Sequence, residues 1–458
     1  MKFAVPESVR VSRRTGWGLT AFITLTGIIA VIRSLHGSND FDTFYHAGRA
    51  VLGGDGIYYS GEYYQTDPNV SPFLYPPFAA CFFALFAWLP LVLAAFLWNL
   101  VSILCMIGAC LLIFQYQEKS FEEVKSFWAS LRWADRIFFI LVPAGLLLDN
   151  LSMSQANILI FFLCVSALLL WKKGRPWAAG LVTAAAFCIK LTPLMLCFFF
   201  LAKRSYRAFA GFLAGCLGVL LLTTLVFGPS GNWLFHRQWI GRNVKPALID
   251  WVEKFQKYEF HPLKPTPETY RQMHLTDVMT DRNQSFKSTM TRLFLKDRNQ
   301  YAYSTAFPIY VAQRFDKLPV LGGGMKLRPL NLLISALQAG LFLFLLILWS
   351  RVRNPSADFL ALETSVLFLS MTLFAPLART QQLIFFIFPF QALACLYPRA
   401  GLETKRLFLW ILRLSAVFYI LLAFRYGGAA GMGTWANLTL WAGFVWILIR
   451  RPPEFSSH

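Results

Sequence analysis

The sequence predicts an all-α protein that crosses a membrane many times. Of its 458 residues, 57% are hydrophobic and only 14% are charged, whereas about a quarter of the residues in an average soluble domain are charged. Apolar runs of about 20 residues, long enough to cross a bilayer as helices, alternate with short basic segments. We therefore attribute the net charge of +20 to membrane topology and to contacts with anionic lipid or phosphate, and not to nucleic acid.

The first long apolar run, residues 16–35, is followed by a polar stretch with two carboxylates, Asp40 and Asp42. Three arginines precede this run, so the positive-inside rule places the N-terminus in the cytoplasm and the two carboxylates on the other side. We expect a short interfacial helix over residues 41–52. A carboxylate there is suited to act as a general base on a lipid-linked substrate, although a solvated acid that caps a helix has the same pattern.

Hydropathy and the positions of the basic residues predict about twelve full spans. The segment 137–148 contains Pro143 and Gly145 and is expected to be half-length or re-entrant, and Pro90 is expected to mark a cytoplasmic turn. The spans are predicted at residues 16–35, 75–89, 94–114, 158–171, 177–189, 194–202, 209–227, 329–349, 357–374, 381–397, 407–424 and 432–449.

The predicted spans and loops divide the chain into three parts. Residues 1–228 form an N-terminal membrane module with the first outer loop, residues 229–328 form a large polar loop expected to fold as a helical cap, and residues 329–458 form the C-terminal helices. The sequence contains no phosphate-binding P-loop, dinucleotide fingerprint or HExxH motif, so we expect no soluble catalytic domain. No second cluster of carboxylates stands out, so we expect no bound metal.

Five motifs in chain order resemble a known family. The motifs are Asp40-Phe41-x-x-Phe44-Tyr45-x-Ala47-Gly48-Arg49-Ala50, Tyr75-Pro76-Pro77-Phe78, Gln155-Ala156-Asn157, Ile189-Lys190-Leu191-Thr192-Pro193 and Asn283-Gln284-Ser285-Phe286 with Arg292. On these motifs the sequence is similar to the polyprenol-phosphate-mannose-dependent mannosyltransferases of glycosyltransferase family 87, which belong to the GT-C class of membrane enzymes. Ser154 stands where the third motif of the family tends to have glycine.

One stretch departs from the family pattern. Between late spans the family often carries a Ser-Pro motif followed by two histidines, and here the corresponding run is 375–382, with Gln381 and Gln382 in place of the histidines. An amide can hydrogen-bond a sugar hydroxyl but cannot shuttle a proton. This departure removes a histidine-based mechanism at this point and leaves the sugar and the acceptor open.

The resemblance implies a GT-C fold with about twelve transmembrane helices and a non-cytoplasmic helical cap. It also implies an inverting transfer of a hexose such as mannose from a polyprenyl-phosphate donor to a lipid or glycan hydroxyl, without a cofactor. The expected setting is the plasma membrane of a prokaryote, with a monomeric enzyme among membrane lipids and its active site facing outwards.

The resemblance also assigns roles to individual residues. Asp40 is expected to be the base, with Asp42 as its rival, and the positive charges of Lys190 and Arg379 are expected to hold the donor phosphate. Two other interpretations remain open. Lys190 also has the position of a lysine at the membrane interface, and Arg379 has the position of a residue that contacts anionic lipid. The further candidates for substrate binding are Tyr45, Tyr75, Gln155, Asn157, Asn283, Gln284, Gln381 and Gln382.

Two other functions compete with a transferase. A transporter or flippase of lipid-linked saccharides predicts charged residues within the spans and, in many folds, internal repeats; no repeat is evident in the sequence. A non-catalytic assembly partner predicts that replacing Asp40 has no effect.

Overall fold

A computed structural model describes residues 28, 32, 40–58, 73–119, 121–244, 284–296, 320–352, 355–375, 378–423, 427–428 and 430–450. In these ranges the chain is mainly helical and has no β-strand; Leu295 and Met325 form an isolated bridge, and Arg379 is a further single bridge residue. The predicted all-α class is confirmed. Most of the predicted first span, most of the predicted cap and the candidate Asn283 lie outside the described residues.

The helices occur in the order predicted from the apolar runs. Their bounds are α1 Asp40–Gly53, α2 Pro77–Ala87, α3 Leu91–Gln117, α4 Phe121–Ser130, α5 Trp133–Ser152, α6 Asn157–Lys172, α7 Pro176–Ile189, α8 Leu194–Ala202, α9 Tyr206–Trp239, α10 Phe286–Phe294, α11 Leu327–Ser350, α12 Ala357–Leu373, α13 Ile387–Leu396, α14 Leu402–Leu422 and α15 Met432–Arg450. A 3-10 segment, Thr380–Phe386, leads into α13.

Several helices are long and apolar enough to cross a membrane. Among the described residues there are five such stretches, and a sixth if α5 and α6 are counted as one span bent by 119°. These helices make the protein an integral membrane protein by length and composition. The predicted number of about twelve crossings includes shorter helices and stays a prediction. The five stretches are Leu91–Gln117, Tyr206–Trp239, Arg328–Ser350, Thr380–Arg399 and Met432–Arg450.

Ion pairs gather at one end of the helical bundle, which we call the basic end. Lys172 at the end of α6 lies 2.9 Å from Glu118, just after α3. Lys203, just after α8, pairs at 2.7 Å with Glu363 of α12, and both side chains are almost fully buried. Because buried charges are costly unless paired, these contacts fix which helix ends lie side by side.

The direction of α2 and α3 differs from the prediction. The turn between them was expected at the cytoplasmic side, yet the Tyr45 hydroxyl of α1 donates a 2.8 Å hydrogen bond to the Leu89 carbonyl. Tyr45 lies five residues after Asp40, about 7.5 Å along a helix. Leu89 is therefore on the same side as Asp40, and α2, with 11 residues, is about 16 Å long, too short to cross about 30 Å of hydrocarbon.

The helix α5 reaches from the basic end to a turn that contacts Asp40, a distance that α2 does not span. It was expected to be half-length, but it has 20 residues and runs through Pro143. It starts near the basic end, where Glu123 of the preceding α4 pairs with Arg399 at 2.7 Å. Counting α5 as a crossing in place of α2 keeps Lys172 on its predicted side, and the number of crossings stays a prediction.

This arrangement predicts a labelling pattern. We expect cysteines placed at Trp88 and Leu191, both exposed, to react with an impermeant maleimide from one side of the membrane. A cysteine at Lys173, exposed at the basic end, should react only from the other. The measurement needs a background without reactive native cysteines; labelling of positions 88 and 173 from the same side would contradict this topology.

The helix α9 is interrupted at Gly228, the last residue of the predicted N-terminal module. Gly228 is non-helical, with φ +69° and ψ 165°, and a second helical stretch runs from Pro229 to Trp239. The Trp239 indole then donates a 3.2 Å hydrogen bond to the Leu74 carbonyl. The start of the region predicted as a cap is thus tied to the segment that carries Tyr75.

Candidate active site

Asp40 begins α1 and is held by the turn between α5 and α6. Its backbone N–H donates a 3.1 Å hydrogen bond to the Met153 carbonyl, and its side-chain Oδ2 accepts a hydrogen bond from Nε2 of Gln155. The Arg379 guanidinium lies 4.0 Å from the same oxygen. The carboxylate side chain remains 20% exposed, so a reacting group has access to it.

Aromatic packing sets the direction of α1. Phe41 and Phe44 are fully buried; Phe44 stacks on Phe83 of α2 at 4.4 Å between ring centroids, and Phe41 stacks on Trp98 of α3 at 6.4 Å. A methyl group at Gly48 would approach the backbone of Phe83 to 2.8 Å. Glycine there allows α1 to lie against α2, and the packing fixes the position of Asp40 at the helix start.

Asp42 has a different environment from Asp40. It is buried, with 7% of its surface exposed. Burial, followed by the nearby charge of Asp40, raises the pKa of Asp42 to about 7. Because Asp42 is buried while the Asp40 side chain is 20% exposed, an acceptor hydroxyl can reach Asp40 but not Asp42, so of the two carboxylates Asp40 is better placed to act as a base.

The turn that carries Gln155 is strained at Ser154. Ser154 has a φ of +48°, a left-handed conformation that glycine adopts readily and other residues adopt at a cost. Two buried contacts hold it: the Trp98 indole donates to its carbonyl at 2.9 Å, and the Asn99 amide donates to its hydroxyl at 2.9 Å. The serine in place of the family's glycine therefore gains a hydrogen bond.

This strain predicts the order of stability of two variants. Ser154→Gly should remain within about 1 kcal/mol of the wild type, because relief of strain and loss of one hydrogen bond are each worth about 1 kcal/mol. Ser154→Ala keeps the strain and loses the bond, so it should be less stable than the glycine variant by about 1 kcal/mol. Thermal unfolding in detergent measures the order, and equal stability of the two variants would contradict it.

Lys190 follows α7 directly and faces the same end of the bundle. Its ammonium donates a 2.7 Å hydrogen bond to Oδ1 of Asn157 and lies 5.7 Å from the centre of the Tyr75 ring. The Tyr75 hydroxyl lies 3.4 Å from Oε1 of Gln155, which connects Lys190 to Asp40 through two side chains. Burial lowers the pKa of Lys190 to about 7, against the opposing influence of Asp40.

Asp149, which was not among the predicted site residues, holds the segment that contains Arg379 through hydrogen bonds. Asp149 accepts hydrogen bonds from the Thr380 hydroxyl at 2.8 Å and from the Gln381 amide at 3.3 Å. The neighbouring Asn150 donates to the Gln381 carbonyl at 2.7 Å. The signal for Asp149 was its position directly after the apolar run 137–148.

The structure thus brings together six of the predicted residues at the end opposite the basic end. Hydrogen bonds, one cation–ring contact and one ion pair link them directly. Gln382 lies in the same 3-10 segment and donates its backbone N–H to the Arg379 carbonyl at 2.8 Å. The six residues are Asp40, Tyr75, Gln155, Asn157, Lys190 and Arg379.

Two predicted substrate-binding residues, Tyr45 and Gln284, use their side chains in structural hydrogen bonds. The Tyr45 hydroxyl is used in the bond to Leu89. The Gln284 amide donates to the Gly428 carbonyl at 2.9 Å and accepts from the Gly433 backbone at 3.0 Å. The backbone of Gln284 also bonds the Ala378 carbonyl at 2.6 Å, so Gln284 supports the Arg379 segment from behind.

Comparison with known proteins identifies the central part of this bundle. Residues 73–255 match the family model described as Glycosyltransferase family 87. The predicted resemblance to this family is confirmed. The matched family-87 stretch includes Tyr75, Gln155, Asn157 and Lys190, whereas Asp40 and Arg379 lie outside it and are joined to it by the contacts described above.

Curated relatives of this chain come from mycobacteria. The chain is 29% identical over 209 residues to a polyprenol-phosphate-mannose-dependent alpha-(1-2)-phosphatidylinositol mannoside mannosyltransferase of Mycolicibacterium smegmatis, covering 43% of this chain and 47% of the relative. It is 26% identical over 238 residues to the protein of that name in Mycobacterium tuberculosis, covering 50% and 55%. The chain therefore spans about half the length of these relatives. No solved structure matches.

Proposed function

We propose that this protein is an inverting membrane glycosyltransferase. It moves a sugar, a hexose such as mannose, from a polyprenyl-phosphate donor to a hydroxyl of a lipid or glycan acceptor on the non-cytoplasmic side. The observation that carries this proposal is the meeting of Asp40, Lys190 and Arg379 at one end of an apolar helical bundle. The names of the mycobacterial relatives support the donor class and suggest phosphatidylinositol mannosides as the first acceptors to test.

The reaction needs one base and positive charge near the leaving phosphate. In our proposal the Asp40 carboxylate takes the proton of the acceptor hydroxyl while the hydroxyl oxygen attacks the anomeric carbon of the sugar. The bond from that carbon to the phosphate oxygen breaks, and its electron pair leaves with the polyprenyl phosphate. Lys190 and Arg379 stabilise the charge that develops on the phosphate.

The amide groups around the base have positioning roles in this scheme. Gln155 bonds both Asp40 and Tyr75, so it orients the carboxylate. Asn157 holds the Lys190 ammonium. Gln381 and Gln382 each have a side-chain oxygen that is buried and without a hydrogen-bond partner among the described residues, and we assign these oxygens to sugar hydroxyls.

The prenyl chain of the donor needs apolar surface beside the phosphate. Leu191 and Leu194, which follow Lys190 directly, are 38% and 36% exposed. A chain that lies along α8 from this point would place the phosphate at Lys190 and leave the hydrocarbon in the bilayer. This entry from the side suits a lipid-linked donor and not a nucleotide sugar from solution.

The proposal is tested with the purified protein in nanodiscs. We expect transfer of label from polyprenyl-phosphate mannose to a phosphatidylinositol mannoside and no transfer from a nucleotide sugar. Asp40→Asn provides the matched inactive protein. Movement of the intact lipid-linked sugar across the bilayer of liposomes, without transfer to any acceptor, would instead support the flippase.

A further inference from the structure

A cavity at the basic end lies far from the candidate active site around Asp40. It has a volume of about 350 Å³ and is formed where the start of α5 meets α14 and the short turn around Tyr397. Pockets that bind small ligands typically have volumes of about 300–1,000 Å³. The cavity is large enough for the headgroup of a phospholipid but not for its acyl chains.

One face of α14 lines this cavity with cations and an aromatic ring. Arg406, Trp410 and Arg413 all belong to the lining, and their spacings of four and three residues place them on the same side of a helix. The two arginines are about 10 Å apart along the helix axis. This face therefore presents two positive charges on either side of an indole.

The charges in the cavity do not balance. Asp135 accepts two hydrogen bonds from Arg413, at 2.7 and 2.8 Å, and its side chain is 4% exposed. Arg132 and Arg406 also line the cavity, and neither belongs to an ion pair between described residues. With three arginines and one aspartate, the lining carries a net charge of +2.

Aromatic residues at the surface indicate where the cavity opens. Trp410 is 69% exposed and Trp133, next to Arg132, is 75% exposed. Exposed tryptophans favour the headgroup level of a bilayer. The Arg413 side chain is 37% exposed although it lies 11 residues into α14, so a charged group is reachable from the membrane side.

We propose that this cavity binds the phosphate of an anionic phospholipid from the leaflet at the basic end. Arg132 and Arg406 contact the phosphate, Arg413 stays paired with Asp135 at the inner wall, and the acyl chains leave past Trp410 into the bilayer. The bound lipid joins the start of α5 to α14. This site is independent of sugar transfer, because it lies at the end opposite Asp40.

The test compares two lipids and two pairs of variants. Native mass spectrometry of the purified protein in detergent measures binding of phosphatidylglycerol and of phosphatidylcholine with the same acyl chains. We expect phosphatidylglycerol to bind at least about tenfold more tightly, because both lipids carry a phosphate but the choline cation of phosphatidylcholine is repelled by the excess of arginines in the lining. Arg132→Gln combined with Arg406→Gln should remove this preference.

A matched control uses two exposed cations at the same end but outside the cavity. Lys173→Gln with Arg175→Gln removes the same charge and should leave the preference unchanged. If the double cavity variant does not fold, Arg406→Gln alone should reduce the preference. Equal binding of the two lipids by the wild type, or an equal loss in the control, would overturn the proposal.

A competition experiment distinguishes a lipid ligand from a soluble anion. Inorganic phosphate and glycerol phosphate lack acyl chains, so at millimolar concentration they should not displace phosphatidylglycerol from the wild type. Displacement by either compound would show that the cavity is a site for a soluble phosphate and would overturn the lipid proposal.

Discussion

Asp40→Asn is expected to lower the rate of sugar transfer by about 10² to 10⁴, the contribution typical of a positioned general base. Asparagine has nearly the shape of aspartate and can still accept the hydrogen bond from Gln155, but it cannot take the proton of the acceptor. Donor affinity should change little, because the phosphate and the prenyl chain provide most of the binding. Single-turnover transfer from labelled donor in nanodiscs measures the rate, and equilibrium binding of the donor measures the affinity.

Asp42→Asn is the matched control for this prediction. The substitution is the same and lies two residues away, but Asp42 is buried, whereas the Asp40 side chain is 20% exposed and can be reached by an acceptor. We expect a much smaller loss of transfer. A near-normal rate for Asp40→Asn would exclude Asp40 as the base, and equal losses in both variants would indicate a structural effect on α1.

Lys190→Ala is expected to weaken donor binding by roughly 10- to 100-fold, as one charge-assisted hydrogen bond of about 1.5–3 kcal/mol is lost. It should also slow the chemical step, because the leaving phosphate gains negative charge as the bond breaks. Lys190→Met keeps the length of the side chain and should give a similar loss if the charge is responsible. Normal donor affinity in the methionine variant would contradict the assignment.

The pH dependence of donor binding gives an independent check on Lys190. Its pKa of about 7 in the free protein should rise when an anionic phosphate binds, so binding takes up a proton above pH 7. Donor affinity should therefore fall by up to about tenfold per pH unit above 7. Lys190→Arg remains charged throughout and should bind the donor without this slope; an unchanged slope in the arginine variant would show that another group titrates.

The order of helices was predictable from the sequence, but their crossings were not all predictable. Apolar runs locate helices by hydropathy; the 137–148 run was predicted to be half-length because it is short and contains proline and glycine, whereas the 75–89 run was predicted as a full span. The structure has the longer helix in the first case, α5 with 20 residues, and the shorter one in the second, α2 with 11 residues. The contact between Tyr45 and Leu89 joins residues that hydropathy treats separately.

The residues of the candidate site were predictable where they belong to motifs. Asp40, Gln155 and Lys190 were selected from motif resemblance, and the structure places them within a connected network. Asp149 was missed because an acid at the end of a span has many possible roles. Its function depends on the Thr380–Gln381 segment, about 230 residues away, and no local pattern indicates a contact over that distance.

A structure of the Asp40→Asn variant with intact polyprenyl-phosphate sugar would show directly whether Asp40, Lys190 and Arg379 form one donor site. We predict the donor phosphate within about 2.7–3.2 Å of Lys190 Nζ or an Arg379 guanidinium nitrogen, with the anomeric carbon of the sugar facing the side chain at position 40. A donor phosphate bound at the basic end, or one that contacts neither cation, would contradict the shared site of Asp40, Lys190 and Arg379.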